Sequence, residues 1–202
     1  MKVKLKIIML VSSLLLSLSV TKLCYAYATF GYKLKGSWHK EYYYVSDKSD
    51  DYGNIATKAV KSWNSAVKSE KNHSLNINLS QTSSGSDKST RVVISPLDRG
   101  PDGYSGFTYY YNVDIFGEWK PINYGGYPNK NYQSGSAVIN KYYTDSYSDE
   151  KKQNVIMHEM GHIFGLKHST NSKSLMIENI TSKSTLITPQ ADDVSGVRSI
   201  YE

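Results

Sequence analysis

His158-Glu159-Met160-Gly161-His162-Ile163-Phe164-Gly165-Leu166-Lys167-His168 sets three histidines, a carboxylate and a glycine at offsets that a helix followed by a sharp turn would bring together. On an α-helix, residues four apart lie one turn along and about 40° round, so His158 and His162 project from one face and can share a metal ion. Glu159 stands beside them, where a carboxylate can act as general base toward a water on the metal, whose pKa zinc lowers to about 7. A helix continued for six residues past His162 would carry His168 away from that ion. The chain must therefore turn, and Gly165 can take the left-handed conformation that ends helices at low cost. Three neutral imidazoles leave one coordination position open, whereas structural zinc sites are commonly closed by four protein ligands.

With those residues in place, the segment resembles the metzincin zinc signature, in which the third histidine follows a glycine turn and a methionine-bearing turn comes later. Met176, in Ser174-Leu175-Met176-Ile177, stands where that turn belongs, and Ser169 directly after the third histidine resembles the matrixin branch. Astacins and serralysins usually carry a tyrosine two residues after the methionine; here that position is Glu178, so no tyrosine ligand is expected. The stretch from Gln190 to Tyr201 is similar to the last helix of matrixin catalytic domains. It also reads as a helix on its own terms, with Thr188 as cap, Pro189 at the first helical position, Asp192 and Asp193 at the positive end, and Val194, Val197 and Tyr201 on one face. The likeness is close from about Asp149 onward and topological before it.

The resemblance implies an α+β metzincin (zincin-like) fold, a twisted mixed sheet with three main helices and the zinc site on the central one. It further implies one catalytic zinc held by His158, His162 and His168, catalysis by Glu159, structural support from Gly165, Met176, Asp192 and Asp193, and a protein or peptide as substrate. One departure bears on specificity. Matrixins commonly follow the methionine turn with Pro-x-Tyr, a wall of the pocket that receives the residue after the cut, and here the segment is Ile177-Glu178-Asn179.

Residues 1–28 read as an export leader: Lys2, Lys4 and Lys6, then an apolar run from Ile7 to Val20, then Ala26-Tyr27-Ala28 as an Ala-x-Ala cleavage site. The apolar run is short of the roughly 20 residues a membrane span needs. Loss of this leader removes four lysines and no acids, so the formal charge falls from +6 to +2, leaving no basic stripe that would argue for nucleic acid. Cys24, the sole cysteine, goes with the leader, so no disulfide is expected. Nor is a propeptide thiol of the kind that holds many matrixins latent. Residues 29–202 are expected to form one secreted catalytic domain, monomeric, away from the membrane, and without a haemopexin-like module.

Before the histidine segment, Asp51 to Val67 carries Ile55, Ala59, Trp63, Ala66 and Val67 at helical spacing. Glu41–Val45, Leu75–Leu79, Arg91–Ser95, Phe107–Tyr111 and Ala137–Lys141 read as short strands. Tyr104 to Tyr147 is crowded with tyrosine, glycine and asparagine, a composition suited to surface loops with aromatic contacts. Asp98, Asp102 and Asp114 could offer oxygen ligands to calcium, although Gly100-Pro101-Asp102-Gly103 is also ordinary turn chemistry, the reading favoured here. Two functions follow from the whole: a secreted zinc endopeptidase, or an inert secreted binding or adhesion module on the same scaffold.

Overall fold

In a computed structural model, residues 26–36, 41–46, 51–68, 79–122, 126–179 and 185–202 are described. Their elements run β1 (Tyr42–Val45), α1 (Tyr52–Val67), β2 (Ser80–Gln81), β3 (Thr90–Leu97), β4 (Gly106–Val113), β5 (Trp119–Pro121), β6 (Ser134–Asn140), α2 (Lys141–Thr144), α3 (Asp149–Ile163) and α4 (Ala191–Tyr201). Six strands form one sheet in the order β2-β1-β3-β6-β4-β5. β2, β1, β3 and β6 are mutually parallel, β4 runs antiparallel to β6, and β5 runs antiparallel to β4. The sheet is mixed and three substantial helices accompany it, the α+β arrangement expected.

Alternation builds the face that receives the helices. Thr90, Val92, Ile94 and Pro96 are the buried positions of β3, and Thr108 and Tyr110 those of β4. β6, between β3 and β4, is buried at all of its positions. Against this face lie α1 and α3. Trp63 of α1 is fully buried, meets Phe164 edge-on with ring centroids 5.1 Å apart, and donates its indole N–H to the carbonyl of Met157 at 3.0 Å. α3 is buried from Gln153 to Ile163, so it is the central helix of the layer. Its start is polar and capped: the Ser148 hydroxyl accepts from the Lys151 N–H, and Asp149 and Glu150 occupy the positive first turn.

Several boundaries differ from the sequence reading. The expected strand Leu75–Leu79 lies outside the described residues except for Leu79, and a short strand follows at Ser80–Gln81. Lys141 opens α2 instead of closing a strand, because the Asn140 side chain accepts from the Tyr142 N–H and caps a helical turn there. The last helix begins at Ala191 after an N-cap at Gln190, not after Thr188. There the Asp193 carboxylate accepts from the Gln190 N–H at 2.8 Å, which satisfies the helix start from inside. The tyrosine-rich stretch holds β4, β5 and β6 as well as loops. Its Tyr110 and Tyr132 are core residues, with hydroxyls reaching the carbonyls of His162 and Ile163.

Asp98, Asp102 and Asp114 each accept from nearby backbone N–H groups at Gly100, Tyr104, and Phe116 with Glu118, which is turn chemistry. Ala26 to Ala28, inside the expected leader, pack on the body. The Ala26 N–H donates to Asp192 Oδ1 at 2.9 Å, and the Ala28 carbonyl accepts from the Lys167 N–H at 2.8 Å. Among the described residues, no helix is long and apolar enough to cross a membrane.

Because Trp63 fills the seam between α1 and α3 and also bonds the α3 backbone, Trp63→Ala should cost about 3–5 kcal/mol of stability. Urea denaturation checks this, and a loss under about 1 kcal/mol would mean that the seam collapses without the indole.

Candidate metal centre

α3 presents His158 and His162 one turn apart, and the chain then reverses to deliver His168. At the reversal Gly165 has φ 98°, the left-handed region, and a side chain there would meet Ile200 and the carbonyl of Tyr32. The turn is pinned from outside by the N-terminal stretch, where the Phe30 N–H donates to the Gly165 carbonyl at 3.0 Å and Thr29 bridges Leu166. It is pinned from inside by the Leu166 N–H, which donates to the Gly161 carbonyl at 3.0 Å. Residues 29–35 form this brace and do not line the cleft.

One ring nitrogen from each of His158, His162 and His168 lies within 4.8 Å of the others, and no second such group occurs among the described residues. The donor set fits a metal ion. His158 Nδ1 lies 2.9 Å from the Leu175 carbonyl and His162 Nδ1 lies 2.8 Å from the Leu166 carbonyl. A carbonyl only accepts, so these nitrogens carry the protons and the Nε2 atoms are bare. His162 Nε2 and His168 Nε2 are 3.2 Å apart. His162 Nε2 is the acceptor there, so a His168 Nε2–H can donate to it; with His168 protonated on Nδ1 instead, both lone pairs are free to take a cation between them. In tetrahedral coordination at about 2.0–2.1 Å, two ligand nitrogens sit about 3.3 Å apart. Glu178 Oε1 stands 3.8 Å from His168 Nδ1, where it can favour the same tautomer on the third ring.

Burial keeps the rings neutral. It lowers His158 to about 4, with a small opposing pull from the Leu175 carbonyl, and lowers His162 well below the ordinary histidine range. His168, half-buried, is lowered less strongly, and Glu178 opposes the fall. Glu159, only 7% exposed, is pushed up to about 7 by burial, against a hydrogen bond from Thr108 that favours its ionised form. All four groups border a cavity of ≈540 Å³, whose lining also includes Gly106, Thr108, Tyr127, Lys151, Glu178 and Asn179. Along that cavity runs the outer edge of β4. β5 covers only its Tyr111–Val113 end, so among the described residues Gly106–Tyr109 has no strand on that side.

Below the rings, the methionine turn is organised by one buried carboxylate. Asp193 accepts from the Ser174 hydroxyl and from the N–H groups of Leu175, Met176 and Gln190. Leu175 is thereby held where its carbonyl meets His158. Met176 packs its sulfur against Gly161, where no side chain would fit. Asp192 accepts from the Ser169 hydroxyl at 3.1 Å, and the Ser169 N–H donates to the Met176 carbonyl at 2.7 Å, tying the residue after His168 to the same turn. Both aspartates thus make specific contacts beyond complementing the helix dipole. Two site residues are not marked by the motif, Gly106 and Thr108. The signal for them is the alternation of β4, which turns every second residue toward α3.

A helix-borne histidine pair, a third histidine after a glycine turn, and a methionine turn beneath a mixed sheet together define the metzincin class. The matrixin family model matches residues 50–202, and the chain belongs to that family, one of zinc metalloendopeptidases. Among characterised proteins it is similar to Metalloendoproteinase 1 of Glycine max, at 33% identity over 49 residues. That match takes in 24% of this chain and only 16% of the plant protein. Among solved structures it resembles a chain described as the GM1 bound form of the ECX AB5 holotoxin. There the TM-score is 0.51 and the identity 15%, with 88% of this chain and 87% of that one covered, a likeness of fold.

Without metal, the site should make the protein acid-sensitive. A buried histidine with a depressed pKa contributes stability that is present above the unfolded value of 6.5 and lost as pH falls from there toward about 4. Glu159, raised from 4.5 to about 7, works oppositely, contributing below 4.5 and losing that contribution as pH rises through 7. Two buried imidazoles oppose one carboxylate, so the chelated protein should be less stable at pH 5 than at pH 7. Thermal melts in chelator across that window test it; a higher melting temperature at pH 5 would contradict it.

Proposed function

We propose that this chain is a secreted zinc endopeptidase that hydrolyses peptide bonds of extracellular proteins or peptides, with residues 1–28 serving export and the remainder acting as the catalytic domain. The observation that carries the reading is the pairing of three converging imidazoles with a buried carboxylate, Glu159, on an open cleft beside an unpaired strand edge. His158, His162 and His168 would hold the zinc. When bound, zinc supplies a Lewis acid that polarises the substrate carbonyl and makes water a competent nucleophile near neutral pH.

The chain's own groups do the rest. The free edge of β4 at Gly106–Tyr109 offers backbone donors and acceptors to an extended peptide, which binds main chain with little regard to sequence. Glu159 is off the ligand set and borders the cleft. It takes a proton from the water as the oxygen attacks the carbonyl carbon, and returns that proton to the amine nitrogen as the C–N bond breaks. A pKa near 7 suits a group that must both accept and donate. Glu178 and Asn179 border the cleft where matrixins commonly carry Pro-x-Tyr, so side-chain preference beside the cut would differ from theirs.

Purified protein should hold one zinc per chain, and Glu159→Ala should keep it while hydrolysis falls by about 10²–10⁴-fold. Metal analysis paired with a turnover assay on casein and quenched peptides checks this. Full activity in the variant would refute Glu159 as base, and a wild type that binds zinc yet cleaves nothing would favour the inert module.

A further inference from the structure

β4 turns Gly106, Thr108 and Tyr110 toward α3, and the first two both meet Glu159. Thr108 is 7% exposed, and its hydroxyl lies 2.7 Å from Glu159 Oε2 and 3.1 Å from the Glu159 carbonyl. A hydroxyl has one proton to give. The carboxylate is the stronger acceptor and the nearer, so the proton goes to Oε2. On the other side, a side chain at Gly106 would come within 2.7 Å of Oε1 and 2.8 Å of Cγ, so the glycine keeps that flank clear.

We propose that Thr108 is a positioning residue that fixes the Glu159 carboxylate, holding Oε2 and leaving Oε1 as the oxygen that takes and returns the proton. This rests on Glu159 being the base. A glutamate has three side-chain torsions, and burial alone does not choose among their combinations. Threonine is suited to make the choice. Its branched Cβ restricts χ1 on a strand, so the hydroxyl is itself held when it holds the carboxylate. During turnover the water oxygen bonds the carbonyl carbon, one water proton passes to Oε1, the C–N bond breaks, and that proton passes to the amine nitrogen. The Thr108 hydroxyl keeps its own proton throughout, so its effect is on where Oε1 stands. Gly106 serves the same end by absence, since any side chain there would displace the oxygen that the hydroxyl leaves free.

The test compares wild type, Thr108→Val and Thr108→Ser, each loaded with zinc. Zinc content, kcat and KM on one quenched peptide, and the Glu159 carboxylate position in crystals are read for each. Valine matches threonine in shape and cannot donate. Thr108→Val should keep one zinc and a KM within about twofold, lose about tenfold or more in kcat, and show the carboxylate spread over more than one position. Thr108→Ser should recover kcat to within about threefold, because the donor returns. Should the buried valine prevent folding, Thr108→Ala carries the same expectations. Wild-type kcat in the non-donating variant would overturn the proposal, as would a serine variant that loses as much as valine while still bonding Oε2, since packing would then be the cause. A wild type that holds zinc and cleaves no peptide would sink the endopeptidase reading and this proposal together; an active wild type with an unaffected Thr108→Val sinks this proposal alone.

Discussion

Three imidazoles, one nitrogen from each lying within 4.8 Å of the others, are the constraint round which this fold is organised. Left alone, such a cluster would take up protons and drive itself apart. Here each ring is denied that route by its surroundings. Burial penalises the charged form, and the Leu175 and Leu166 carbonyls accept the Nδ1 protons of His158 and His162. Those carbonyls come from the two turns that follow α3, so the tautomers of the helix histidines depend on the path of the chain after the helix. The residues that shape that path are therefore part of the centre, although none of them faces the metal position.

Asp193 is the clearest of these. It caps α4 through the Gln190 N–H and at the same time gathers Ser174, Leu175 and Met176, so one carboxylate couples the start of the last helix to the carbonyl that orients His158. Burial raises its pKa and four donors pull it down again, a balance that makes its ionised form dependent on the turn being in place. Asp192 does a related task next door, joining Ser169 after the third histidine to the N-terminal stretch at Ala26. The two acids stand side by side in the sequence, yet they secure opposite ends of the segment that runs from Ser169, just after His168, to the methionine turn.

Much of this was legible in the sequence. The helical spacing of His158 and His162, the glycine turn, the methionine position and the amphipathic helix around Trp63 follow from local periodicity and backbone preference, and the structure places them accordingly. What local reading could not supply were contacts made across long sequence separations. The donors that Asp193 binds on the methionine turn lie 17 to 19 residues away, and Thr108 reaches Glu159 across 51. The α4 cap was misplaced for the same kind of reason. Thr188 and Pro189 are sound local signals, but a carboxylate already committed to the methionine turn closed the helix start from within. Tyrosine crowding also misled, since composition cannot separate an exposed loop tyrosine from Tyr132, which is fully buried and bonds the end of α3.

The division between what is held and what is free then has a physical reading. Residues that fix the ligands lie under the cleft in buried hydrogen-bond chains, where a lost partner leaves an unsatisfied polar group and a cost of about 1–3 kcal/mol. Other lining residues lie at its rim, where Glu178 is mostly exposed and Lys151 rests over the Tyr147 ring. Change at the rim leaves no buried polar group unpaired, so the rim can vary while the centre stays. Thr108 sits on the boundary. It is buried like the supports, yet it lines the cleft and touches the one carboxylate proposed to move a proton, so the side of that boundary on which it acts depends on whether its hydroxyl or its shape is what Glu159 requires.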